Sequence, residues 1–342
     1  MTNFDKRQIG ATNLTIDELG MGCASLGNLY HPVSDEEASD ILTTALAKGF
    51  SYFDTAPHYG QGLSERRVGD ALRKRKDYFL STKVGRLLRP AGFAAKRHGF
   101  VSPMPFDIEY DYSYDGVLRS FEDSLQRLGL DRIDILYMHD IGPVTHGCND
   151  ERLFPIAMDG GYRAMDELRR SGRVSAVGLG VNEFEVCERA MEYGDWDCFL
   201  LAGRYTMLEQ LPLDTFFPKC IGRGASVIIG GPYNSGILAT GVQEKRAANY
   251  DYGPAPENIV NKVASIEALC QEFNIPMAAA ALQFPLAHPA VASVIPGIGK
   301  ASRVNQTLKL FRTEIPDEFW KMLKDRGLIH DDAPIPDGNT GN

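Results

Sequence analysis

Four residues of this chain could carry proton chemistry, and each lies where an apolar run gives way to a turn. Asp54 and Tyr59 lie in "FSYFDTAPHYG", Lys83 in "STKVG" and His139 in "YMHD". A tyrosine ordinarily ionises near pH ~10. A nearby ammonium favours the phenolate and moves that value toward neutrality. Lys83 beside Tyr59 would therefore let the phenol give or take a proton near physiological pH. Asp54 would hold Lys83 charged and in place, and His139 would hydrogen-bond the same substrate oxygen. Any one of these residues alone reads as part of a plain ion pair. Four on consecutive strands do not. Proton transfer at a carbonyl or alcohol oxygen needs a companion step, and hydride transfer with a carrier such as a nicotinamide is the natural one. The seven histidines show neither H-x-H nor H-E-x-x-H spacing, so no metal site is expected.

The elements that must position these residues follow from the alternation of the sequence. Eight strand-like runs each precede a helical pattern: 14–22, "SYFDTA", 78–85, 133–140, 174–182, "WDCFLLAGRY", 225–232 and 291–297. Their continuous apolar character suits parallel strands covered on both faces. Eight such units predict an α/β fold, a (β/α)8 TIM barrel over about 14–327, within a single domain spanning 1–342. Catalytic residues of such barrels gather at the C-terminal ends of the strands, where Asp54, Lys83 and His139 fall. Ser34 and Glu37 have capping-box spacing ahead of the first helix. "KRQIGATNLTIDELG" reads as an N-terminal β-hairpin capping the barrel floor, and the polar, Pro/Gly-rich tail 330–342 reads as loose. A doubly wound dinucleotide fold would need G-x-G-x-x-G after its first strand. "GMGCAS" (20–25) places Ser25 where the third glycine should be.

Composition excludes several classes. The net charge of -9 disfavours a nucleic-acid groove. The basic cluster "LRKRKD" (72–77) sits at a helix end, where cations are favoured. No apolar run reaches the roughly 18 residues of a membrane span, and "MTNFDKRQIG" lacks the apolar stretch of a signal peptide. Six scattered cysteines without a C-x-x-C pair read as free thiols of a reducing cytoplasm.

Taken together, these segments resemble the aldo-keto reductase family from about residue 7 to 327. "FDTAPHYGQGLSERRVG" is similar to its signature around the catalytic Asp and Tyr, "STKVG" to its Lys strand and "LYMHD" to its His strand. The resemblance implies a catalytic tetrad of Asp54, Tyr59, Lys83 and His139, and NAD(P)(H) bound without a Rossmann domain. It implies cofactor contacts at Gly22 and Asn182, along "GGPYNSG" at Gly231, Pro232, Asn234, Ser235 and Gly236, and around the last strand at Gly297, Gly299, Lys300, Arg303, Gln306 and Thr307. Small residues let backbone amides approach a pyrophosphate closely. Three positions depart from the family pattern. Val181 stands where many members have Ser, Ala202 where many have Gln, and Gly230 where many stack an aromatic on the nicotinamide. Gly297 and Ile298 stand where NADP-selective members often place Lys and Ser. NAD is therefore the expected cofactor, with NADP the alternative, and oxidation the expected direction.

"LLAGRYT", "HDIG", "GGPYNSGIL" and "VIPGIGKASRVNQT" look most like the aldose 1-dehydrogenase subgroup, which takes in L-fucose/D-threo-aldose and L-galactose dehydrogenases and the related pyridoxal 4-dehydrogenases. The resemblance thus implies oxidation of an aldose at C1 to the lactone. Pyridoxal oxidation to 4-pyridoxolactone is the alternative, and a nucleotide-binding regulatory subunit with little turnover the third reading. A small sugar or pyridoxal-like molecule is the expected partner, with neither nucleic acid nor membrane. The substrate pocket should come from 24–32, from the long loop 85–115 and from the residues after Asp140. The long loop carries Phe93, Phe100, Phe106, Tyr110 and Tyr112, and aromatics suit a sugar face or a pyridine ring equally. Tyr30, His31, Asp140, Arg204 and Tyr205 are the candidate substrate contacts.

Overall fold

A computed structural model describes residues 4–242, 249–251 and 253–336. The chain opens with an antiparallel hairpin of β1 (Lys6–Gln8) and β2 (Thr15–Asp17). There follow β3 (Met21–Gly22), β4 (Tyr52–Asp54) and β5 (Phe79–Val84). An excursion contains β6 (Arg86–Pro90), β7 (Lys96–Arg97), β8 (Phe100–Val101) and β9 (Phe106–Tyr110). Then come β10 (Ile135–His139), β11 (Ala176–Val181), β12 (Cys198–Ala202) and β13 (Ser226–Gly230). A short ribbon of β14 (Asn249–Tyr250) and β15 (Gly253–Pro254) precedes the last strand, β16 (Val291–Ile295).

The eight strands β3, β4, β5, β10, β11, β12, β13 and β16 pair in that order, all parallel. Bridges of Leu19 with Val294 and of Gly22 with Gly297 join the first strand to the last. The expected TIM barrel is thus the observed one. One expected strand is split: 14–22 gives β2 to the hairpin and β3 to the barrel. The hairpin plugs the floor as expected, because Ile9 and Ile16 are fully buried and pack with Tyr52, Ile135, Tyr137 and Ile228 inside the barrel.

Strand periodicity decides which side chains face inward, since alternate residues share a face. Tyr52 and Asp54, Ser81 and Lys83, and Tyr137 and His139 share the inner parity. Tyr52 lies 3.0 Å from Ser81 Oγ, and Ser81 in turn donates to Asp54 Oδ1 at 2.7 Å. The outer parity packs on the helices, as Phe53, Leu80 and Met138 do. The first helix, Asp35–Ala47, starts with the expected capping box: Ser34 Oγ accepts from Glu37 N at 3.1 Å and Glu37 Oε2 from Ser34 N at 2.8 Å. Among the described residues no helix is long and apolar enough to cross a membrane. In the C-terminal segment Ala333 is buried and His330 N donates to Gln210 Oε1; residues 337–342 lie outside the described residues.

The long loop 85–115 is ordered as two nested hairpins. Strands β6 and β9 pair antiparallel with Arg86 opposite Tyr110, and β7 pairs with β8 further out. At the neck, Asp111 N donates to Gly85 O at 3.0 Å. The tip folds back on the first strand–helix loop. Leu29 bridges Phe100, Val101 N donates to Asn28 O at 3.0 Å, and Asn28 Nδ2 donates to Val101 O at 3.0 Å.

Candidate active site

Asp54, Lys83 and His139 end three adjacent barrel strands, and Tyr59 follows the first of them. Lys83 Nζ donates to Asp54 Oδ2 at 2.7 Å and to Thr55 O at 2.9 Å, with both side chains almost wholly buried. The ammonium lies 4.7 Å from the centroid of the Tyr59 ring. The His139 ring stands perpendicular to that of Tyr59, with centroids 6.2 Å apart. All four residues expected from the sequence thus come together.

Two close backbone approaches set this arrangement. A Cβ at Gly27 would fall 2.4 Å from the carbonyl carbon of Tyr59, and one at Gly60, whose φ is +67°, would fall 2.5 Å from Gly27 O. Only glycines let the first loop lie directly on the backbone that carries Tyr59. On β11, a Cβ at Gly180 would sit 3.1 Å from Lys83 Cε, so that glycine leaves the lysine its room.

The electrostatics correct one expectation. Burial, and then the carboxylates of Asp54 and Asp140, push the Tyr59 phenol well above its ordinary range, while the Arg86 guanidinium pulls against them. The phenol of the protein alone is therefore not brought toward neutrality by Lys83, because desolvation of a phenolate outweighs the neighbouring cations. Burial, reinforced by Arg86 and Lys83, holds His139 well below its usual range, so the ring is neutral. Its Nδ1 is buried and has no hydrogen-bond partner among the described residues. Burial and Arg86 likewise hold His58 down, to about 2.

Sequence reasoning missed two residues here. Arg86, 4% exposed, donates to Asp140 Oδ2. His58 packs edge-on to Phe100 and to His139, at centroid distances of 5.2 and 5.9 Å. The signals were a charge directly after "STKVG" and a ring between Pro57 and Tyr59. Of the candidate substrate contacts, Asp140 is buried beside His139, its Oδ2 3.4 Å from His139 Nε2, and its φ is +47°. Tyr30 and His31 lie exposed on the first loop, where Tyr30 N donates to Gly99 O at 3.3 Å. Arg204 clamps the mouth, with Nε donating to Asn182 O at 2.6 Å and Nη2 to Asp251 Oδ1 at 2.8 Å. Tyr205 is a correction. It is wholly buried against Phe217, Phe284 and His288, a core side chain that leaves no surface for a ligand to touch.

The aldo/keto reductase family model matches residues 18–326. The chain belongs to the aldo/keto reductase family. It is similar to pyridoxal 4-dehydrogenase of Microbacterium luteolum, 43% identical over 95% of this chain and 98% of that protein. It is 37% identical to D-threo-aldose 1-dehydrogenase of a Pseudomonas species, over 93% and 96% of the two chains. Among solved structures, the holo form of aldo-keto reductase AKR11C1 from Bacillus halodurans superimposes with a TM-score of 0.73 at 26% identity, covering 98% of this chain and 99% of that one. As an aldo-keto reductase, the protein is an NAD(P)-dependent oxidoreductase.

The residues present fit such a cofactor. After β13, Gly231, Asn234, Ser235 and Gly236 all have positive φ, the backbone of an anion-binding concavity. A Cβ at Gly236 would meet nothing within 4 Å. At the end of β16, Gly297 and Gly299 face only Ser25, whose Oγ would lie 3.4 Å from a Cβ on Gly297, and Gly22 bridges Gly297. Arg303 and Lys300 stand exposed at the start of helix Ala301–Phe311, and the Arg303 charge acts on Tyr233, whose phenol burial pushes up to about 12. Pro232 lies within the same turn. Asn234 is a strut rather than a free side chain: its Nδ2 donates to Gly203 O at 3.0 Å and its Oδ1 accepts from Thr206 at 2.5 Å. Asn182 Nδ2 donates to Asp140 Oδ1 at 3.4 Å. Gln306 is exposed, whereas Thr307 is buried beside it. Ile298 is 1% exposed and packs into the core, so its side chain is turned away from the surface at this turn.

Proposed function

We propose that this aldo-keto reductase oxidises a cyclic hemiacetal to a lactone with NAD, Tyr59 taking the proton. The observation that carries the reading is the buried cluster of Tyr59, a Lys83–Asp54 ion pair and a neutral His139 at one barrel mouth. His139 orients the reacting hydroxyl by hydrogen bonding without bringing a charge of its own. Tyr59 Oη, as phenolate, accepts that hydroxyl's proton, and Lys83 with Asp54 behind it steadies the charge. When bound, nicotinamide supplies the acceptor for the hydride leaving the same carbon, so that the C–OH becomes the lactone C=O. The concavity at 231–236, with Gly22, Asn182, Gly297, Gly299, Lys300, Arg303 and Gln306, would hold the dinucleotide. NAD is favoured over NADP because neither Gly297 nor the buried Ile298 offers a donor to a 2′-phosphate.

Two cyclic hemiacetals are in view. Pyridoxal, which closes a ring through its own hydroxymethyl group, is placed first. The rings of His58 and Phe100 pack beside Tyr59, and pyridoxal 4-dehydrogenase of Microbacterium luteolum is 43% identical to this chain. This reverses the order drawn from the sequence motifs. An aldose oxidised at C1 stands second, favoured by the polar group of Arg86, Asp140 and Asn182. The test is steady-state NADH formation with pyridoxal, L-fucose and L-galactose, with the lactone identified by mass spectrometry. NAD-linked turnover of one of them is expected. Tight NAD binding with no turnover of any would reject the dehydrogenase reading in favour of a regulatory nucleotide-binding subunit.

A further inference from the structure

Among the described residues, two cationic side chains are buried at the barrel mouth, and each is matched by one carboxylate. Lys83 pairs with Asp54, at side-chain exposures of 1% and 3%, and Arg86 pairs with Asp140, at 4% and 11%. The second pair takes no proton in the transfer described above, although its charges act on the Tyr59 phenol. Arg86 follows the strand of Lys83 and Asp140 follows His139, so along both strands the pair comes after the tetrad residues, toward the loops of the barrel mouth. Its members are held from several elements. Arg86 is fixed at the root of the nested hairpins opposite Tyr110, its guanidinium carbon 5.4 Å from that ring's centroid. Asp140 keeps a left-handed backbone, its N donating to Gly180 O at 3.0 Å. Asp is among the few residues besides glycine that take this conformation readily. Arg86 Nε is buried and has no hydrogen-bond partner among the described residues. A buried donor left unmatched is costly, so the guanidinium is held by its ion pair and its packing on Tyr110 rather than by a full set of hydrogen bonds.

We propose that the Arg86–Asp140 pair is the specificity element of the site, accepting an uncharged substrate through a hydroxyl close to the reacting carbon, C2–OH of an aldose or the ring hydroxyl of pyridoxal, and refusing a carboxylate at or beside that carbon. The inference rests on the reading of the protein as a hemiacetal dehydrogenase. A hydroxyl both accepts and donates. It can accept from an accessible guanidinium N–H of Arg86 and donate to an Asp140 oxygen, completing the pair without adding charge. A carboxylate can only accept. It would meet a guanidinium already neutralised and would set its own charge against Asp140, a like-charge contact that disfavours binding. The other groups nearby supply no spare cation: His58, His139 and His146 are pushed toward the neutral form, chiefly by burial, Lys83 is tied to Asp54, and Arg204 to Asp251. The neutral lactone therefore stays a ligand, and the hydroxy acid formed when it opens does not.

The test is calorimetric titration of the full-length, NADH-loaded protein with two matched pairs: 4-pyridoxolactone against 4-pyridoxate, and galactonolactone against galactonate. For the pair whose parent hemiacetal is turned over, wild type should bind the lactone at least ~10-fold tighter than the acid. Asp140→Asn leaves a buried guanidinium unmatched, and its affinity for the acid should rise about tenfold, the scale of a charged hydrogen bond. The double variant Arg86→Gln, Asp140→Asn should lose that gain. Wild type binding acid and lactone equally, or a folded Asp140→Asn with unchanged acid affinity, would overturn the proposal. The wild-type comparison decides even if the variant does not fold. Failure of every hemiacetal in turnover would remove the parent reading, whereas turnover with equal binding of acid and lactone removes this inference alone.

Discussion

Lys83 lies over the face of the Tyr59 ring, its ammonium 4.7 Å from the centroid. Two of its three donors are spent on Asp54 and Thr55. The lysine is thus fixed from below by the barrel, with its ammonium set against the ring of the proposed base.

Removal of the phenol oxygen tests the base directly. Tyr59→Phe keeps the ring packed against Phe100 and His139 and deletes the one atom that moves the proton. Turnover should fall by the ~10²–10⁴-fold typical of a lost general acid or base. NAD affinity, measured by fluorescence titration, should change little. Near-normal turnover would sink the assignment of Tyr59.

The pH dependence of oxidation carries a sign. The active form is the phenolate, and burial, Asp54 and Asp140 raise the phenol's value while Arg86 lowers it. The rate should therefore climb with pH on the alkaline side and level off above an apparent value that belongs to the whole cluster. Lys83→Met removes a cation and should move the rising limb to higher pH as the rate drops. Asp140→Asn removes an anion and should move it to lower pH. Profiles of kcat against pH that superimpose for all three proteins would mean that neither charge tunes Tyr59.

Cofactor choice should respond at Gly297 and not at Ile298. Gly297 is exposed, and a side chain there meets only Ser25. Gly297→Lys should raise kcat/KM for NADP relative to NAD. Ile298→Ser would bury a hydroxyl in the core and should lower Tm without that gain. A wild type preferring NADP tenfold would mean that Lys300 and Arg303 suffice for the 2′-phosphate.

Stability should fall on mild acidification because buried histidines are kept neutral. His58 is held at about 2 in the folded protein, against about 6.5 in an unfolded chain. Below about 6.5 the unfolded chain binds the extra proton and the folded one does not, so folding weakens as pH drops. From pH 6.5 to 5 this one ring should cost up to ~2 kcal/mol. Urea melts across that range should show the slope, and His58→Asn should flatten it. An equal slope in the variant would place the acid sensitivity elsewhere.

The tetrad was legible because strand parity and the C-terminal ends of barrel strands fix both side and height. Asp54, Lys83 and His139 share the inner face, and a period of two residues is visible in any strand. Arg86 and His58 were not, because their importance comes from contacts made only once the hairpins fold back over the mouth. Tyr205 was misjudged for a local reason. It follows Gly203, whose φ is +68°, and the turn made there swings the next side chains off the strand's alternation, sending Tyr205 into the core. The long run 85–115 looked structureless since its strands are only two to five residues long.

The neck of that run has a consequence for how such a protein can change. Gly85 O and Asp111 N meet at 3.0 Å, so the segment leaves the barrel and returns to it at nearly the same point. What lies between is a cassette. Its length and rings can be exchanged without shifting Lys83 on one side of the neck or the helix Tyr114–Leu128 on the other. New substrates can therefore be acquired by rewriting the cassette wherever it does not touch the Tyr59 turn, against which Phe100 packs and to which Met104 N donates at Gly60 O.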